Sequence, residues 1–219
     1  MRTDGSVQPG QRRAARHEET REAIVALAVE IMGTEGVAGL TLGEVARRLG
    51  VRTPSLYTYF PSKNALYDEL FRRGWTAARA HLVAAAAELG DLSQHTDVVA
   101  RGAALQEVNT RWAIDHPALT QLMMFRPLPA YEPSAEAYAA SGEYFAFVVA
   151  EVDAYARLGL LRAGVDPAEV VENLASVGAG VISRHLANEP GVPFDLGRAT
   201  RHLRSLVTAV VTSYLPLDS

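Results

Sequence analysis

Between Thr53 and Lys63 the chain sets out hydroxyls, aromatic rings and then its single lysine. Thr53, Ser55, Tyr57, Thr58 and Tyr59 fall outward on one short helical pattern. Side chains of these types suit phosphate oxygens, base edges and thymine methyls. Lys63 follows Ser62 at the first position of the next helical run, where the helix dipole disfavours a cation. A bound phosphate would reverse that preference, because backbone N–H groups and the ammonium would share one anion. Two ordinary short helices with a solvated face would explain the same residues, but exposed tyrosines are costly choices for such a face.

Catalytic chemistry finds less support. Six histidines and 25 carboxylates are available, yet none falls in a metal-ligand spacing such as H-E-x-x-H. His17 with Glu18 and Glu19 reads as a solvated helical face. Ser141-Gly142 and Ser183 have no G-x-S-x-G context, and no phosphate-binding glycine loop is present. The absence of cysteine removes thiolate metal sites and thiol nucleophiles. No catalytic residue, metal or cofactor is therefore assigned. A small helical hydrolase or lyase, and a ligand-binding adaptor without DNA contact, are the alternative readings; Tyr57, Lys63 and the Arg-rich N-terminal arm speak against the adaptor.

The elements that must position these residues follow from periodicity. Residues 1–16 lack apolar periodicity and read as a flexible basic arm with Arg12, Arg13 and Arg16. Ile24, Leu27, Ala28 and Ile31 give residues 17–35 one apolar helical face, stopped at Gly36. Thr41 and Glu44 form a capping box for a short helix that ends at Gly50. Thr53 followed by Pro54 starts another, with Val51 and Leu56 expected to plug the space between the two. Ser62 caps a fourth helix running towards Glu88. Later helices are expected at about 96–115, 117–125, 134–158, 167–189 and 195–214, the last capped by Asp195. With no clean strand alternation, the fold class is all-α, about nine helices: a helix-turn-helix domain over 17–63 and a helical domain over 64–219.

Charge divides at the same place. Residues 1–63 carry 9 basic and 7 acidic side chains, net +2; the rest carry 12 and 18, net −6. Only the front is suited to a polyanion. At 48% hydrophobic and 21% charged, the composition is that of a soluble globular protein. No uncharged run approaches the roughly 18 residues of a membrane span, and the N-terminus is polar, so a cytoplasmic protein without membrane contact is expected.

The run LTLGEVARRLGVRTPSLYTYFPSKNALYDEL resembles the DNA-binding domain of the TetR/AcrR family of bacterial transcriptional regulators. Thr41, Ala46, Leu49-Gly50-Val51, Leu56-Tyr57, Phe60, Lys63 and Leu66 fit its spacing; Tyr59 stands where a histidine is common. The resemblance implies a homodimer on double-stranded operator DNA, controlled by a small-molecule effector, most simply a repressor on a palindromic operator. It makes Thr41, Tyr57, Tyr59 and Lys63 phosphate contacts and puts Thr53, Pro54, Ser55 and Thr58 near the bases, with Arg52 beside them. The segment RWAIDHPALTQLMMFRP is similar to a C-terminal domain type of that family with a His-Pro helix start and a Met-Phe-rich stretch.

In the rear domain core packing explains most large apolar residues. A largely apolar effector pocket is expected from Trp112, His116, Met123, Met124, Phe125, Phe145, Asn173 and Ser176. Trp75 is expected to sense an effector only indirectly. Broad apolar stripes on the last two long helices suggest a dimer interface of Leu174, Gly178, Val181, Ile182, His185, Leu203, Leu206, Val207 and Val210. Burial inside one chain is the competing reading, and His185 serves equally as a pocket donor.

Overall fold

The computed structural model describes residues 9–92 and 97–216. Among these, nine α-helices and no strand occur: α1 (Pro9–Glu35), α2 (Leu42–Leu49), α3 (Thr53–Leu56), α4 (Lys63–Glu88), α5 (Val98–Asp115), α6 (Pro117–Met124), α7 (Ala135–Arg157), α8 (Pro167–Asn188) and α9 (Leu203–Thr212). Helix α1 begins earlier than its apolar face. Gln11, Arg12, Arg13, Ala14, Ala15 and Arg16 are good helix formers, and Pro9 suits a helix start. Arg12, Arg13 and Arg16 therefore lie on the helix rather than on an arm; residues 1–8 of that arm lie outside the described residues, as does Thr96, the expected start of the fifth helix.

Three local expectations are corrected. The Thr41 hydroxyl accepts from the Glu44 amide at 3.1 Å, but Glu44 does not reach back to close the capping box. Its carboxylate instead accepts from Arg47 and Arg48, whose hydrogen bonds hold its pKa down at about 2. Arg52, not Thr53, occupies the cap position of α3. Asp195 does not cap the last helix. The turns Phe194–Leu196 and Thr200–His202 intervene, and Asp195 accepts two hydrogen bonds from Arg111 at 2.8 and 2.9 Å.

Helix α4 belongs to both halves of the molecule. Its 26 residues extend roughly 39 Å at 1.5 Å per residue. The buried Leu66, Tyr67, Leu70 and Phe71 share a core with α1 and α2, and the Tyr67 hydroxyl donates to the Val37 carbonyl at 2.7 Å. Further along, Trp75, Ala78 and Leu82 pack among α5, α6 and α7 in the same core. A second core joins α5, α7, α8 and α9 around Val181, Leu203, Val207 and Val211.

An ionic clamp adds to the apolar joint between α1 and α4. Buried Glu69 accepts from Arg72 and Arg73 and pairs with Arg21 at 3.1 Å, while Arg73 also holds Glu22. Burial raises the Glu69 pKa, but hydrogen bonds from Arg73 and Arg72 outweigh it, leaving the carboxyl below its ordinary value. The clamp is thus fully present above the ordinary Glu range and lost as pH falls through the depressed pKa. Glu69→Gln should cost about 2 kcal/mol at neutral pH. It should also flatten the acid limb of a urea-denaturation series; equal acid sensitivity in both proteins would exclude this clamp as its source.

Candidate nucleic-acid interface and effector cavity

The turn between α2 and α3 requires Gly50, whose φ of 73° lies in the left-handed region. Ala46 is buried and small where α3 crosses α2, and Leu56 plugs the angle with no exposed surface. Val51, expected to share that role, is 40% exposed. With Leu56 turned inward, Arg52, Pro54, Ser55, Tyr57 and Thr58 emerge on one outward face, Tyr57 being 53% exposed. Thr41 is exposed beside them and Thr53 is half-buried.

Besides Thr41, three expected contact groups have partners within the chain. The Thr58 hydroxyl donates to the Ser55 carbonyl at 2.7 Å. Tyr59 is half-buried, its ring stacked on His17 with centroids 4.5 Å apart. This ties the recognition segment to α1. Lys63 opens α4, with its ammonium 5.2 Å from the centre of the Tyr67 ring, and burial lowers its pKa. The Ser62 hydroxyl caps the same helix end by accepting from the Ala65 amide at 3.0 Å. A phosphate there would meet first-turn N–H groups and the lysine together.

Behind this module the helices α4 to α8 enclose a cavity. The centre of a water-sized sphere can range over about 110 Å³ of it. Trp112, Met123, Met124 and Phe145 line it, as the sequence leads one to expect. Four other expected residues do not. His116 stacks on Trp112 with centroids 4.7 Å apart, one ring nitrogen 2.8 Å from the Trp112 carbonyl. Phe125 ends α6 and is 38% exposed. Asn173 and Ser176 lie on the exposed face of α8, where Asn173 donates to the Tyr214 hydroxyl at 2.6 Å. Helix α8 turns Leu174, Gly178 and Ile182 inward; residues 173 and 176 are about 100° of helix rotation or more from that face.

Trp75, Gln106, Tyr144 and Glu151 also line the cavity and were not expected. The legible signal was the apolar run Trp75, Ala78, Leu82 at i, i+3, i+7, which carries the inner face of α4 past the helix-turn-helix module. Trp75 meets the cavity directly rather than through α4. Met123 lies across Gly74, where any side chain would collide with its sulfur. At the far end Arg101, 4% exposed, pairs with Glu151 at 3.1 Å and donates to the Gly90 and Ala86 carbonyls. It thereby clasps the last turn of α4 to α7. Burial, with the nearby Glu151 charge adding to it, pushes the Tyr155 hydroxyl up to about 12.

The expected dimer face is largely consumed within the chain. Leu174, Gly178 and Ile182 face the cavity; Val181, Leu203 and Val207 are in the second core. His185 is 1% exposed, one ring nitrogen 2.8 Å from the Val192 carbonyl. Leu206, 43% exposed, and half-buried Leu174 and Val210 reach the surface. The outward face of α8 instead carries Ser176, Gly180, Ser183 and Ala187. No helix is long and apolar enough to cross a membrane, and no metal-ligating cluster occurs, among the described residues.

Residues 24–70 match the family described as bacterial regulatory proteins, tetR family. The class C tetracycline repressor protein of Escherichia coli is 41% identical over 61 residues, 28% of this chain and 28% of that protein. The chain thus aligns with little more than a quarter of that relative's length. Over the whole fold, a protein of unknown function from Rhodococcus sp. RHA1 superimposes with a TM-score of 0.73 at 22% identity, covering 90% of this chain and 95% of the other. The TetR family transcriptional regulator PfmR from Thermus thermophilus gives 0.63 at 19% identity, covering 86% and 97%. At these identities the likeness concerns the fold.

Proposed function

We propose that this chain, whose residues 24–70 match the tetR family of bacterial regulatory proteins, is a ligand-responsive DNA-binding transcriptional regulator of that family. It acts in the cytoplasm as a homodimer that represses from a roughly palindromic operator. A small, largely apolar effector releases it. Residues 17–63 serve DNA and residues 64–219 serve effector and partner.

The observation that carries this reading is the double use of α4. Its first residue, Lys63, stands at the nucleic-acid face, and Trp75, Ala78 and Leu82 of the same helix wall the cavity. A molecule that fits better when α4 is displaced shifts the population towards that arrangement, and with it the position of α3. Two α3 helices about 34–36 Å apart enter successive major grooves; a changed spacing no longer matches. DNA must weaken effector binding by the factor by which effector weakens DNA binding.

A gel-shift with the DNA upstream of the protein's own gene tests the reading. A specific complex at low nanomolar to micromolar protein is expected, and none at any salt would leave the hydrolase or adaptor readings. Lys63→Ala should weaken that complex about equally on all sequences. It should also lower the slope of log affinity against log salt by roughly one. An unchanged slope would remove Lys63 from the phosphate contacts.

A further inference from the structure

Taking α3 as the helix that reads DNA, we propose that the leading turns of α1 make a second, separate contact with the same duplex. Arg12, Arg13 and Arg16 bind backbone phosphates of the operator beyond the segment that α3 enters. The first ground is burial. Residues 10–19 are all exposed, and among the described side chains of α1 the first buried one is Ile24. At 1.5 Å per residue, roughly 15 Å of helix stands outside the core. The second ground is unmatched charge. Among the described residues of the front module, Arg21, Arg47 and Arg48 each pair with a carboxylate. Arg12, Arg13 and Arg16 pair with none, although Glu19 stands only three residues beyond Arg16. The three arginines cover a sector of about 100° of the helix, while Glu18 and Glu22 project to the opposite side. Exposed guanidinium groups gathered on one flank, with no acid to neutralise them, suit a polyanion.

The third ground is aim. The Arg21 guanidinium lies over the Phe60 ring, 5.1 Å from its centre, and four residues earlier the His17 ring stacks on Tyr59. Passing from Phe60 to Tyr59 leads from a buried ring to a half-buried one, and exposed Thr58 and Tyr57 come next. The same flank of α1 thus runs outward beside the recognition face. Its next rung, one turn beyond His17, is Arg13, which has no partner among the described residues. DNA held on α3 supplies one. Phosphate contacts fix position and carry no sequence information. The leading turns of α1 therefore add affinity and salt dependence without changing which site is preferred.

The test uses the full chain and the DNA upstream of its own gene, titrated by gel-shift from about 50 to 200 mM salt. A variant carrying Arg12→Gln, Arg13→Gln and Arg16→Gln keeps good helix formers at exposed positions, so it should fold as the wild type does. Its slope of log affinity against log salt should fall by about two to three per protomer, and its affinity at the lowest salt by about tenfold or more. Its preference for the operator over unrelated DNA should not change. A lost preference would mean that α3 itself is disturbed, and overturns the separate contact. An unchanged slope, with the wild type still binding, overturns the proposal and leaves α3 as the DNA-reading element. If the wild type forms no complex at any salt, the DNA-binding reading fails and the proposal with it. Ala14→Pro keeps all three charges but breaks the helix that presents them. It should lose part of the same slope; a wild-type slope in that variant would mean that the arginines act as loose charges, and overturns presentation by α1.

Discussion

Replacing Arg101 by Met should cost about 3–4 kcal/mol of folding stability, the usual penalty for leaving a buried charge without its partner. The Arg101 side chain is 3% exposed and that of Glu151 is 16% exposed. Removing the guanidinium strands the carboxylate and also strips the donor from the Gly90 and Ala86 carbonyls at the end of α4. Combining Arg101→Met with Glu151→Leu should restore much of the loss, because two apolar side chains of similar volume can replace a buried pair at little cost. Urea denaturation of the two variants and the wild type gives the comparison. A single substitution costing under about 1 kcal/mol would mean that water reaches the pair freely.

The second large effect is expected at Gly180. A side chain built there meets nothing within 4 Å inside the chain, and the position is exposed. Gly180→Arg should therefore leave the monomer folded; the change even favours helix by up to about 1 kcal/mol. If the outward face of α8 meets its symmetry mate, the same arginine places two unpaired charges in a closely packed contact. The dimer should dissociate, and operator affinity should fall by about a hundredfold or more as two linked half-sites become one. Light scattering beside a gel-shift reads both. A variant that stays dimeric would move the interface off this face. Gly178→Arg is no substitute as a test. Gly178 is buried, and any side chain there collides with the Gln106 amide, so its loss of function would report a damaged cavity.

Arg101 and Gly180 also separate two kinds of information. The DNA-binding module is written locally. Gly50 makes the left-handed turn, Thr41 and Ser62 accept at their helix starts, and Ala46 with Leu56 fills the crossing. Each of those decisions is made by atoms a few residues apart, so residue type and spacing suffice, and the outward face follows by subtraction. Where an arginine competes for a capping carboxylate, from three residues away or from the far side of the fold, the capping rule loses. Glu44 leaves its capping position for two arginines, and Asp195 leaves the start of the last helix for Arg111.

Helix α8 is the harder case. Val171, Leu174, Ala175, Gly178, Val181 and Ile182 cover so much of its circumference that the pattern alone does not say which side meets a cavity, a core or another chain. The neighbours decide. Trp75, Gln106 and Phe145 form the cavity opposite one side, and Leu203 and Val207 of α9 form the core opposite the next. The small residues Ser176, Gly180, Ser183 and Ala187 are left facing outward. The sequence by itself determined an all-helical chain with a legible DNA-binding front. Only the tertiary structure decided which apolar residues line the cavity, because that depends on helix rotations fixed by packing between segments far apart in the chain.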